Sequence, residues 1–241
     1  PVPLFSVGAV DSLRADWLAG TLMSRYDHNR VYHGLQHLYQ SDDNGKTWNM
    51  ISPDLSYNDK SHMGVYPYLI YHQAITAIAE GNIPNALYAG TDDGLIQVTQ
   101  DGNQWSKVSS FPGVPDQTLV QYITASQHDE HVVYAAFNNL RMGDFKPYLL
   151  KSSDKGKTWT SISSNLPVRG SVYCITEDHI NPNLLFCGTE FGIYMTLDGG
   201  KNWMKFMNGM PMTSVRDIAI QKHENDLVVD RKSTRLNSSH T

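Results

Sequence analysis

The chain has 241 residues, 40% hydrophobic and 18% charged, with a formal charge of −5 at pH 7. That acidic balance argues against nucleic acid or an anionic membrane surface as partner. No apolar run approaches the ~20 residues of a membrane span, and two cysteines, Cys174 and Cys187, do not settle the redox compartment.

Strand-like runs fill the chain in order. Residues 17–24, 30–33 and 38–40 form a loose first group, followed by Ser41-Asp42-Asp43-Asn44-Gly45-Lys46-Thr47-Trp48 and a long segment, 50–72. The second group is 75–79, 87–90 and 95–98, followed by Thr99-Gln100-Asp101-Gly102-Asn103-Gln104-Trp105 and a connection at 111–119. The third is 121–125, 132–135 and 148–150, with an excursion at 138–147, then Ser152-Ser153-Asp154-Lys155-Gly156-Lys157-Thr158-Trp159 and a run at 160–162. The fourth is 172–176, 184–188 and 193–195, then Thr196-Leu197-Asp198-Gly199-Gly200-Lys201-Asn202-Trp203 and 204–206. A last pair falls at 215–220 and 227–229. Residues 230–241 have no strand pattern and read like translated sequencing-adapter sequence, so a non-native, disordered tail is expected there. Residues 1–229 are expected to form a partial β-propeller, cut off after about four blades.

The recurring octet, Ser/Thr-x-Asp-x-Gly-x-Thr-Trp, reads as a hairpin turn with its own clamp. The Asp carboxylate accepts from amides just ahead of it, and the Ser/Thr hydroxyl adds a further bond. Gly takes a conformation a Cβ resists. Trp opens the next strand and locks the turn down with apolar area. The second copy is one residue short between Asp and Trp.

The four Trp stand 57, 54 and 44 residues apart, a period that suits propeller blades of four antiparallel strands, A to D. In such a meander the octets are C–D turns and share a face with the A–B turns. The long D–A and B–C connections gather on the other face, where ligands are expected. The octet residues Ser41, Asp43, Gly45, Trp48, Thr99, Asp101, Trp105, Ser152, Asp154, Gly156, Trp159, Thr196, Asp198, Gly200 and Trp203 are therefore expected to be scaffold. Cys174 and Cys187 fall on adjacent strands; a disulfide is open, and two buried free thiols are the favoured reading.

The octet resembles the Asp box of BNR-repeat propellers. Together with residues 51–55, 88–94, 142–148, 188–192 and 214–220, it makes the chain similar to the sortilin-type, glycosyl hydrolase-like bacterial propellers. The box itself is shared with sialidases and xyloglucanase-type hydrolases. The resemblance implies an extracytoplasmic protein.

Glycoside hydrolysis needs two placed carboxylates, or a sialidase-like set with an arginine triad. Outside the tail there are six arginines, and three converging ones cannot be assembled. On the expected ligand face stand Asp54, Asp92, Asp93, Asp144 and Glu190. Asp92, Asp93 or Glu190 could act as acid or nucleophile; the plainer reading makes them caps of equivalent B–C turns. Aligning the A strands gives a column, Thr76, Gln121, Tyr173 and Arg216, that could line a channel mouth, against plain between-blade packing. Asp144 and His72 are further ligand-binding candidates, with His72 a possible base. No zinc-ligand spacing, EF-hand loop or phosphate loop occurs, so no metal or cofactor is expected. The expected function is an extracytoplasmic scaffold that binds a protein or peptide; the alternative is a glycoside hydrolase or carbohydrate-binding propeller. The remaining blades of the parent chain are a further expected partner.

Overall fold

The computed structural model describes residues 13–62, 72–207 and 212–231. Four four-stranded antiparallel sheets follow one another along the chain, then a two-stranded one. The first comprises β1 (Thr21–Met23), β2 (Val31–Gly34), β3 (Leu38–Ser41) and β4 (Asn49–Met50). The second comprises β5 (Ile75–Glu80), β6 (Leu87–Thr91), β7 (Ile96–Thr99) and β8 (Ser106–Val108). The third has β9 (Leu119–Ala125), β10 (Val133–Asn138), β11 (Tyr148–Ser152) and β12 (Thr160–Ser161). The fourth has β13 (Val172–Glu177), β14 (Leu185–Thr189), β15 (Gly192–Thr196) and β16 (Met204–Lys205), and β17 (Val215–Gln221) pairs with β18 (Asp226–Arg231). β1 is much shorter than the run at 17–24 suggests, and Trp17 lies in a turn ahead of it. β18 reaches two residues past 229; residues 232–241 of the expected tail lie outside the described residues, as does most of the far end of the 50–72 segment.

The octets form the clamps their residues imply. Ser41 Oγ donates to Asp43 Oδ1 at 2.8 Å and accepts from the Gly45 amide at 2.8 Å. Asp43 then accepts from the Lys46 and Thr47 amides and from the Thr47 hydroxyl. Those Thr47 bonds hold Asp43 down at about 2. Gly45, Gly156 and Gly200 take φ of 84°, 83° and 96°, the left-handed region. Trp48 and Trp159 each donate Nε1 to the carbonyl of the box glycine at 3.1 Å. In the shortened second copy that geometry is lost: Trp105 Nε1 is buried without a partner in the structure.

Sheets pack face to face through apolar layers, and each layer mixes side chains of two successive blades. Tyr88, Val98, Val120, Ile123, Phe137 and Trp159 share one such layer between the second and third blades. Close approach depends on small residues in the second strand. A Cβ on Gly34 would lie 2.6 Å from Ile75 Cβ, the residue that opens β5. Gly90 and Gly188 stand in the same way against Val120 and Val215.

Two blade junctions also carry a buried carboxylate latch. Glu80, at the end of β5, accepts from Ser24 Oγ (2.9 Å), the Arg25 amide (2.7 Å) and Tyr32 OH (3.1 Å) of the preceding blade. Glu177, at the end of β13, repeats this with Ser126 Oγ (2.9 Å), the Gln127 amide (2.7 Å) and Tyr134 OH (3.2 Å). Burial, with Glu80 adjacent, pushes Tyr32 up to about 12.

Cys174 pairs across the sheet with Gly188, while Cys187 pairs with Ile175. Side chains alternate faces along a strand, so the two thiols point to opposite sides of the sheet. Cys187 joins the layer toward the third blade and Cys174 the layer toward β17. Both are buried and free.

Candidate functional site

The column of Thr76, Gln121, Tyr173 and Arg216 has a backbone cause. Each strand pair β5–β6, β9–β10, β13–β14 and β17–β18 slips register at that residue, so all four are bulge residues. A bulge re-aims its side chain, and the four then go separate ways. Thr76 Oγ1 donates to Val120 O of the next blade at 2.7 Å, which is between-blade packing. Gln121 and Thr76 also border a cavity of about 500 Å³ walled by β1, β5 and β9, with Asp217 at its side. Tyr173 donates to Glu190 Oε2 at 2.9 Å, and the Arg216 guanidinium lies 3.6 Å over the Tyr173 ring. The structure thus brings together Tyr173, Arg216 and Glu190, and leaves Thr76 and Gln121 apart from them.

Four of the five face carboxylates are tied into turns. Asp54 accepts from Arg14 Nη2 at 2.5 Å and from Ser56. Asp92 accepts from the His72 and Ala74 amides at 2.6 and 2.9 Å. Asp93 accepts from the Tyr57 amide at 2.8 Å and from Thr91 Oγ1. Asp144 accepts from Tyr148 OH at 2.5 Å and from the Lys146 amide. Glu190 differs: Tyr173 is its carboxylate's hydrogen-bond donor, and it borders a cavity.

That cavity, about 350 Å³, is lined by Phe145, Arg169, Gly170, Glu190 and Phe191. Phe145 and Phe191 remain 40% and 38% exposed, large for aromatic side chains in a folded sheet protein. Arg169 sits over the Phe145 ring at 5.6 Å and forms no ion pair among the described residues. The Gly170 amide donates to Phe145 O at 2.9 Å, which fastens the long loop of the third blade to the entry of the fourth.

A second cluster was not legible in the chain order. Asp16 Oδ2 accepts from Arg141 Nη2 and from His72 Nδ1, both at 3.1 Å. Asp92 Oδ2 lies 3.7 Å from Arg141 Nη1 and 3.9 Å from His72 Nδ1. Burial raises Asp92 to about 6, and the charges of Asp93 and Asp16 add to that. Asp16, His72 and Asp92 have donor atoms within 4.8 Å of one another, close enough to share a cation; the Arg141 guanidinium supplies positive charge at that point. His72 is thus a bridging side chain between two carboxylates. Asp16 and Arg141 stand 125 residues apart, and nothing in either one's neighbours announces the other.

No family model matches the chain. Over 81 residues it is 36% identical to a probable oligoxyloglucan-reducing end-specific xyloglucanase of Neosartorya fischeri, a stretch that covers 31% of this chain and 10% of that protein. Among solved structures it is similar to an ancestral GH74 enzyme, with a TM-score of 0.65 at 18% identity over 92% of this chain and 29% of that one. The GH74 xyloglucanase of Xanthomonas campestris gives 0.65 at 14% identity, covering 91% and 34%. The β-propeller domain of Cps50 from Myceliophteria thermophila gives 0.60 at 12%, covering 93% and 64%.

The chain is a partial β-propeller. It spans a tenth of the curated relative and about a third of the GH74 enzymes it resembles. Among the described residues no helix is long and apolar enough to cross a membrane.

Proposed function

We propose that this arc belongs to a glycan-recognising, xyloglucanase-like propeller, and that the face carrying the D–A and B–C loops receives the sugar. The observation that carries this is the cavity between the third and fourth blades. A pyranose ring offers an apolar face and a rim of hydroxyls that both donate and accept. Phe145 and Phe191 supply exposed aromatic area, Arg169 supplies donors, and Glu190 supplies an acceptor. Tyr173 orients Glu190 from behind through a hydroxyl held neutral, since burial and the Glu190 bond push it up to about 12. Arg216 backs the Tyr173 ring. The partial identity to a xyloglucanase supports the same ligand class, as does the glycosyl hydrolase-like resemblance of the sequence. An extracytoplasmic location accords with a polysaccharide ligand.

Recognition, rather than bond cleavage by this arc alone, is the role these residues fit. Two-carboxylate hydrolysis requires an open pair about 5–10 Å apart. Asp92 and Asp93 are both buried and occupied by backbone amides, and Glu190 has no carboxylate partner in its cavity. A peptide ligand, the first expectation from the sequence, has no comparable feature in its favour.

Affinity electrophoresis of the full chain in gels containing xyloglucan, mixed-linkage β-glucan or no polysaccharide tests the reading. Retardation by xyloglucan, abolished in the pair Phe145→Ala and Glu190→Gln, is the expected result. Unchanged mobility in every glycan sinks it.

A further inference from the structure

The A–B turns, on the face opposite the long loops, enclose a further cavity. It measures about 500 Å³ and takes one residue from each of four such turns. These are Arg25 between β1 and β2, Asn82 between β5 and β6, Gln127 between β9 and β10, and Lys222 between β17 and β18. The ends of β9 and β13 close it with Thr124 and Glu177. That volume falls within the ~300–1,000 Å³ of small-molecule pockets.

The rim is fixed from beneath. The Arg25 amide donates to Glu80 Oε2 and the Gln127 amide to Glu177 Oε2, both at 2.7 Å. The two carboxylate latches therefore also set the backbone of the residues that edge the cavity. Asn82 Nδ2 donates to Gln127 O at 3.2 Å and ties the second blade to the third across the rim.

The charges are lopsided. Glu177 is the carboxylate that lines the cavity, and its oxygens are taken by Ser126 Oγ, the Gln127 amide and Tyr134 OH. Glu80 and Asp217 border the neighbouring cavity instead. The side chains of Arg25 and Lys222 are exposed. Neither forms an ion pair among the described residues, where the paired arginines and lysines are Arg14, Arg30, Arg141 and Lys155. Two uncompensated cations thus edge one hollow in a protein of charge −5. A walled cleft focuses such a field on whatever enters it. A guanidinium adds a fork of donors that matches an oxyanion, and an ammonium adds a point charge.

We propose that this cavity binds an oxyanion, namely a carboxylate, sulfate or phosphate carried on a small polar molecule. Arg25 and Lys222 hold the charge, and Gln127 and Thr124 supply further donors. The site lies apart from the Phe145–Phe191 cavity and does not rest on the glycan reading.

Calorimetric titration of the full chain at constant ionic strength tests it, with glucose-6-phosphate, glucose-6-sulfate, glucuronate and glucose as probes. Binding of at least one anionic sugar is expected, with glucose silent, and the tightest of the three identifies the anion. Arg25→Gln and Lys222→Gln should each weaken that binding about tenfold, the scale of one charge-assisted contact, and the double variant should abolish it. Added sodium chloride should weaken it as well. All three variants should melt at the wild-type temperature, because both side chains are exposed and any residue but proline at position 25 keeps the amide that Glu80 holds. The site is overturned if none of the three anions binds, if glucose binds as tightly as they do, or if the double variant binds like the wild type. Retardation by xyloglucan should be unchanged in the double variant, so either reading can fail alone.

Discussion

Arg141, in the loop between β10 and β11, donates to Asp16 Oδ2 at 3.1 Å across 125 residues of chain. The bond fastens the segment ahead of β1 to the third blade, over the top of the second. Asp92 of that second blade lies within 3.7 Å of the same guanidinium. One cation therefore balances two carboxylates that are almost without water, Asp16 at 1% and Asp92 at 0% side-chain exposure. Removing Arg141 leaves them facing each other. Arg141→Met keeps most of the aliphatic stem and should cost about 1–3 kcal/mol, less than a fully buried pair would lose because the guanidinium is 35% exposed. Urea unfolding of the full chain measures it; a change below ~0.5 kcal/mol would mean the cluster is not holding the blades.

Asp92 gives this cluster a pH signature. Burial raises it to about 6 from an ordinary value near 3.8. A carboxyl that is more basic folded than unfolded contributes stability that is fully present below about pH 4 and is lost as pH rises through 6. Asp92→Asn removes that titration, at a cost that does not vary with pH, because its one carboxamide oxygen replaces only one of the two oxygens that accept from the His72 and Ala74 amides. Between pH 4 and 7 the variant should gain on the wild type by up to about 3 kcal/mol, since each pH step between the unfolded and folded values is worth about 1.4 kcal/mol. Melting temperatures taken in steps across that range would show parallel curves if Asp92 titrates normally.

The Glu177 latch makes a sharper demand. Its carboxylate accepts from the Gln127 amide at 2.7 Å and from two hydroxyls, Ser126 and Tyr134. A carboxamide has one accepting atom and one donating atom, so in Glu177→Gln the oxygen that keeps the Gln127 amide turns the NH2 toward Tyr134 OH, and the buried tyrosine hydroxyl loses the acceptor for its own hydrogen. An unpaired buried group costs about 1–3 kcal/mol, and Glu80→Gln should cost a similar amount at its own junction. Chemical denaturation of each single variant and of the double variant checks this. The two junctions are far apart, so near-additive losses are expected.

Asp154 tests the assignment of faces. It accepts from the Thr158 amide and hydroxyl, and Ser152 Oγ bonds to it at 2.8 Å. Asp154→Ala should lower the melting temperature and leave retardation by xyloglucan unchanged at temperatures where the fold persists. A loss of glycan binding with intact folding would place the octets at the ligand, contrary to their position on the opposite face.

Much of the blade pattern was legible because each blade repeats a local code. The octet needs only eight consecutive residues to close its turn, and the strands beside it announce themselves by apolar runs. Even the A-strand column Thr76, Gln121, Tyr173 and Arg216 was readable as a column. Its division was not: whether a bulge residue meets a neighbour's carbonyl, as Thr76 does, or another side chain, as Tyr173 and Arg216 do, depends on the next blade. Asp92 and Asp93 were read as caps of their own B–C turn; the amides they hold, those of His72, Ala74 and Tyr57, belong instead to the connection ahead of β5. The pairing of Cys174 with Gly188 likewise required the register, since one residue of slip moves a thiol to the other face.

By itself, the sequence determined the four hairpin clamps, the order of the strands and the face on which the long loops gather, because these follow from contacts a few residues apart. The tertiary structure decided which distant side chains meet. Arg141 against Asp16 and Asp92, and Phe145 with Phe191 around one cavity, become neighbours only when blades stack, and stacking is set by apolar layers and small residues such as Gly34 and Gly90 whose influence is not local in the chain.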